Sequence, residues 1–126
     1  MIVVDTSVWI DHLRRGNPRL VALLEDDLVL AHPWVTGELA LGRLERRREV
    51  LGLLGNLQQA VVATAAEVLV LIENHEMFGL GIGYVDAQLL AASRLTATAR
   101  LWTNDKGLAA AARRLGIDYQ PDGAGA

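Results

Sequence analysis

Apolar runs of three or four residues recur along this chain, and helical periodicity fills the intervals between them. Residues 1–4 read as a short buried strand, apolar without alternation. Thr6 or Ser7 can cap a helix over residues 8–14, which Gly16 stops. Asn17-Pro18 marks a second helix start, with Leu20, Leu23 and Leu24 on its apolar face. Residues 28–31 form the second expected strand. Pro33 opens a helix that carries Glu38 and continues, with breaks, through Leu54, where Gly55-Asn56 ends it. Residues 60–63 are the third expected strand, and Thr64 caps a helix over residues 65–77. Residues 78–83 are a flexible connection, and a strong helix follows over residues 84–97. Residues 100–103 are the fourth strand. Thr103 or Asn104 caps a helix over residues 105–115, closed by Gly116. A short last strand is expected at residues 117–119, and a frayed tail at 121–126. The alternation predicts an α/β fold in one domain, residues 1–120. Its sheet is mainly parallel, with four to five strands and helices on both faces.

A chain of 126 residues can bury a sizeable core, and 52% of it is apolar. No apolar stretch approaches the roughly eighteen residues needed to span a bilayer. The opening Met1-Ile2-Val3-Val4-Asp5 lacks a basic segment followed by an apolar one, so no secretory leader is expected and a cytoplasmic location is the default. The absence of cysteine excludes disulfides and thiolate zinc sites. A formal charge of −3 argues against a uniformly basic nucleic-acid binder, although local patches can still neutralise phosphate. Of the 12 basic residues only Lys106 is lysine. Arginine suits bidentate phosphate contacts, and biased base composition explains the same preference.

Four acids occupy equivalent places in this pattern. Asp5 follows the first strand, Asp105 lies just beyond the fourth, and Glu38 and Asp86 fall early in helices. In parallel α/β folds the carboxyl ends of strands and the first turns of the next helices share one edge of the sheet, where sites are placed. Four carboxylates gathered there repel one another unless cations bind. Hard divalent cations prefer such oxygen ligands, and Mg²⁺ is held by a few carboxylates with water and phosphate. Each acid also has a plain structural reading. Asp5 can cap its helix, and Asp86 and Asp105 complement the dipole of a first helical turn. Glu38, between Gly37 and Leu39, is expected to need a partner on a partly buried helix.

Four segments carry a resemblance: Asp5-Thr6-Ser7, Val35-Thr36-Gly37-Glu38-Leu39, Val85-Asp86-Ala87-Gln88-Leu89-Leu90-Ala91-Ala92 and Leu101-Trp102-Thr103-Asn104-Asp105. In this order and context they resemble the PIN-domain nucleases, and more narrowly the VapC toxins of bacterial toxin–antitoxin pairs. The likeness runs from Met1 to about Tyr119. It implies a PIN-like three-layer sandwich and a metal-dependent endoribonuclease that hydrolyses RNA using one or two Mg²⁺ or Mn²⁺ ions. Asp5 and Asp86 would be the principal ligands, and Asp105 would complete the site directly or through water. Glu38 would ligate or orient the attacking water, with Thr6, Ser7 and Thr103 as supporting hydroxyls. Asn104 stands where family members vary, so its role is open. The resemblance also implies a small VapB-like antitoxin that obstructs the acidic pocket, an RNA substrate (tRNA, rRNA or mRNA) and a homodimer.

Other features fit either of two readings. Arg43, Arg46, Arg47 and Arg48, interleaved with Glu45 and Glu49, form a solvated helix face or an RNA contact, and Lys106 is an exposed lysine or a phosphate contact. Gly79, Gly81 and Gly83 follow a helix rather than a strand, so a dinucleotide loop fails its context test. His12, His32 and His75 lack metal-ligand spacing and are expected at the surface or at helix ends. Trp9, Trp34 and Trp102 are expected in the core or an interface. Two competing classes remain. A non-catalytic PIN-like module would bind RNA or protein, but it has no reason to keep four mutually repelling acids. A phosphotransfer enzyme would need a second acid near Asp5, where Ser7 stands instead.

Overall fold

The computed structural model describes residues 1–121; the expected tail lies almost wholly outside them. β1 (Ile2–Val4), β2 (Val29–Ala31), β3 (Gln58–Gln59) and β4 (Arg100–Trp102) form one parallel sheet in the order β3-β2-β1-β4. β1 is buried along its whole length, as a continuous β-branched run in a central parallel strand should be. Residues 117–119 do not form a full strand. They add a single parallel bridge, Leu101 to Asp118, at the outer edge of β4.

The chain steps outward from β1 to β2 to β3, then returns to place β4 on the other side of β1. Right-handed crossovers therefore put the helices on opposite faces. α1 (Thr6–Arg15), α2 (Pro18–Glu25), α3 (Pro33–Leu41) and α4 (Arg47–Asn56) connect the outward steps, and α1 packs on α3 and α3 on α4. α5 (Ala65–Asn74) and α6 (Tyr84–Leu95) make the return and pack on each other, with α6 against β4. α7 (Lys106–Arg114) follows β4 and packs on α6. The core between these layers is aliphatic, with Val8, Leu30, Leu89, Leu90, Leu101 and Leu108 fully buried. No helix among the described residues is long and apolar enough to cross a membrane.

Several local expectations shift. The third strand is Gln58–Gln59, not residues 60–63. Only the Ala60 N–H still reaches β2, donating to Ala31 O at 2.8 Å. Beyond it, side chains take over the backbone groups. Val61 N–H donates to Thr96 Oγ1, and Ala63 is held at both N–H and C=O by the Gln88 amide. The helix after Pro33 breaks at residues 42–46, where Arg46 adopts a left-handed φ of 52°. The arginine cluster is thus not one helical face. Its expected pairing with Glu45 and Glu49 is absent, since the ion pair among the described residues is Arg15–Asp11. The caps at Asn17 and Thr64 form as expected, the latter as a reciprocal box with Glu67.

His32 is a helix-end residue but not a surface one. It is buried, and its Nδ1 accepts from Trp34 N–H at 3.0 Å, capping α3. Burial pushes its pKa below the ordinary value of 6.5. The unfolded chain then holds the proton more readily than the folded one. Stability is complete above that value and is lost as the pH falls below it. Melting temperatures should therefore drop on acidification from about pH 7.5 to 5.5. In His32→Asn, which keeps a capping acceptor, the drop should be shallower. Equal pH slopes in both proteins would refute this account.

Candidate active site

The sheet order reverses between β1 and β4, so the chain leaves these neighbouring strands in different directions and opens a crevice at their carboxyl ends. Asp5 and the segment 103–105 lie there. The ladder extends into it, with Asp5 N–H donating to Trp102 O at 2.9 Å.

Asp5 is only 6% exposed. Its backbone caps α1, but its side chain makes no cap bond, so the capping reading does not explain the carboxylate. Its Oδ2 accepts from Ser7 Oγ at 2.8 Å and from Thr103 Oγ1 at 2.7 Å. Those hydroxyls are themselves tied to the opposite loop. Ser7 Oγ accepts from Asn104 N–H and Thr103 Oγ1 from Asp105 N–H, each at 3.0 Å. Both hydroxyls bind the same oxygen, and no hydrogen bond among the described residues holds Oδ1. Neither Thr6 nor Ser7 caps α1 by its side chain, because each turns to an acid instead.

Glu38 reaches the crevice from α3. It is exposed rather than partly buried, and its Oε1 accepts from Thr6 Oγ1 at 2.6 Å. Asp105, not Thr103 or Asn104, caps α7 with its side chain, accepting from Leu108 N–H at 2.8 Å. Asp86 sits in the first turn of α6, half-buried, with one long bond from Gly83 N–H at 3.3 Å. Its carboxyl is held above the usual carboxylate range, chiefly by burial. The Gly83 N–H opposes that, and the negative charges of Asp5, Asp105 and Glu38 add to it. The other three acids are thus near enough to Asp86 for their charge to bear on it.

Each carboxylate is meanwhile held by a neighbouring hydroxyl or N–H, and no three acidic or histidine side chains among the described residues come together as a group that could hold a metal ion, so the expected ligands Asp5, Asp86 and Asp105 are not gathered into one set. The donor chemistry nonetheless fits a hard cation. It consists of carboxylate and hydroxyl oxygens, with no cysteine and no histidine bonded into it. Burial at Asp86 disfavours its charged form, so either a proton or a bound cation would relieve it, and Oδ1 of Asp5 is left without a hydrogen bond among the described residues.

The basic residues divide. Arg47 is engaged structurally, donating to Ala40 O at 2.6 Å and Gly42 O at 3.3 Å at the end of α3. Lys106 is exposed at the start of α7. Arg43 lines a groove of about 450 Å³ with Ile10, Leu13, Leu39 and Glu38, and Arg14 shares it. Arg14 also borders a second groove beside Ser7 and Asn104. Sequence reasoning missed Arg14, although its spacing of seven from Ser7 returns it to the same helical face.

A chain with this reversed parallel sheet and four acids at the switch point belongs to the PIN domain family, whose sequence profile matches residues 2–114. Within that family it is of the VapC type. It is 52% identical over 117 residues to ribonuclease VapC32 of Mycobacterium tuberculosis, in both strain CDC 1551 / Oshkosh and strain ATCC 25618 / H37Rv. The match covers 93% of this chain and 94% of each relative. No solved structure matches the chain significantly.

Proposed function

We propose that this chain is a VapC-type toxin, an endoribonuclease that hydrolyses RNA phosphodiester bonds with Mg²⁺ or Mn²⁺. The observation that carries the reading is the buried Asp5 carboxylate at the carboxyl end of β1, gripped on one oxygen by Ser7 and by Thr103 from beyond β4. A divalent cation there supplies charge neutralisation and Lewis acidity toward the scissile phosphate. Asp5 and Asp86 would hold it, with Asp105 as a further oxygen donor. Ser7 and Thr103 fix the Asp5 carboxylate through Oδ2 and leave Oδ1 without a hydrogen bond among the described residues. Glu38, at the mouth and held by Thr6, orients the attacking water and takes its proton. Asn104 supports the clamp through its backbone N–H. Arg14 and Arg43, flanking Glu38, meet the RNA backbone. A VapB-like antitoxin silences the protein by placing a cationic side chain in the acidic crevice. The toxin acts as a homodimer, paired through its exposed apolar helix surface.

The test is incubation of the purified, antitoxin-free protein with total cellular RNA in Mg²⁺, Mn²⁺ or EDTA. Discrete cuts that require the metal are expected. A folded protein that cuts nothing would move the reading to a non-catalytic binding module. Thr103→Val removes both a donor to Asp5 and an acceptor for Asp105 N–H. Groups that orient a ligand in this way are worth about ten- to a hundredfold. Cleavage should slow by that factor, and a rate within twofold of wild type would show that the clamp does not position Asp5.

A further inference from the structure

We infer that Trp34 and Tyr84 form a stacking platform for one unpaired base of the RNA, next to the scissile phosphate. The inference rests on the ribonuclease reading above. Trp9 and Trp102 are buried in the core, yet Trp34 is 37% and Tyr84 45% exposed. The two rings lie 5.6 Å apart, tilted by 44°, and come from residues fifty positions apart. Both stand at the carboxyl edge of the sheet. Trp34 is one helical turn before Glu38 on α3, and therefore on the same face. Tyr84 is the first residue of α6, two before Asp86. The pair thus bridges the two helices that bring those acids to the crevice.

The sequence also invests in the position of Trp34. The buried His32 imidazole caps its N–H at 3.0 Å, although this leaves His32 Nε2 buried without a partner among the described residues. An orphaned buried polar atom is a cost that a Ser or Asp cap would avoid. Exposed aromatic faces beside a phosphodiester site match how unpaired RNA bases are held. Bases splay from the strand and stack on Trp or Tyr, with little demand on base identity. The occupant is accordingly a nucleobase flanking the cut. Trp34 is four residues before Glu38 and Tyr84 two before Asp86, so a base on the rings would neighbour a phosphate at the acids.

The test is a double-mutant cycle on a short single-stranded RNA that the wild type cuts at one mapped site. Trp34→Ala and Tyr84→Ala are each measured on the intact RNA and on copies made abasic at single positions flanking the cut. Each alanine variant should lower kcat/KM about five- to 150-fold, the range that corresponds to losing one base–aromatic stack. Trp34→Phe should retain most of it. At one position the abasic RNA should be cut poorly by the wild type and no worse by the variants. Losses that add at every position, or unchanged cleavage by the folded variants, would overturn the platform. So would full cleavage by variants that no longer bind a cognate antitoxin, since the surface would then be a protein-docking one. If the wild type cuts no RNA at all, the ribonuclease reading fails first.

Discussion

Asp5→Asn is expected to eliminate cleavage, by well over a hundredfold, while leaving the fold intact. Removing a group that merely orients a ligand costs about ten- to a hundredfold, and Asp5 is itself the ligand proposed. The substitution separates its two oxygens. An asparagine carbonyl can still accept from Ser7 and Thr103, as Oδ2 does now. Its amide then takes the place of the unbonded Oδ1, offering hydrogens where an oxygen donor is needed. The lost charge also relieves repulsion at Asp86, so in EDTA the variant should melt no lower than the wild type. Mn²⁺ should raise the wild-type melting temperature, by mass action on the folded state, and raise that of the variant less. Cleavage by Asp5→Asn at wild-type rates under matched metal would remove Asp5 from the site.

Gln88→Leu should produce the largest loss of stability from a single polar change. The Gln88 side chain is buried and closes a two-bond ring with one residue. Its Oε1 accepts from Ala63 N–H and its Nε2 donates to Ala63 O, each at 3.1 Å. Leucine fills similar space but satisfies neither group. Ala63 is itself buried. Each orphaned buried group costs about 1–3 kcal/mol, so unfolding free energy should fall by roughly 2–5 kcal/mol. Urea denaturation would measure it. A loss below about 1 kcal/mol would mean that water or a local shift satisfies Ala63. Gln88 is two residues from Asp86, so this brace also steadies the helix that carries a site acid.

The sequence carried the parallel sheet and the four acids because both are local signals. Apolar runs mark strands, and an acid just past a strand or early in a helix is placed by topology alone. Caps at Asn17 and Thr64 were equally local. Where the reading slipped, the deciding partner lay far along the chain. Residues 60–63 have a strand-like composition, yet Thr96 and Gln88 claim their backbone from 35 and 25 positions away. Thr103 looked like a cap for α7 but turns to Asp5, leaving Asp105 to cap instead. His32 looked peripheral because nothing adjacent shows that it will be buried. Gln88 and the Trp34–Tyr84 pair were invisible for the same reason, since each gains its meaning from a contact that the fold creates.

The clamp on Asp5 has a consequence for how the molecule comes into being. Thr103 and Asp5 are 98 positions apart, and they meet only when the first strand accepts the fourth as its neighbour. The fold therefore closes its crevice with one of its longest-range pairings, the kind that forms late because its loop-closure entropy is lost before any contact compensates. A chain emerging from the ribosome would hold Asp5, Glu38 and Asp86 before Arg100–Trp102 existed to complete the sheet. Its potential for damage would thus stay latent until residues 100–103 join the first strand, rather than accumulate residue by residue.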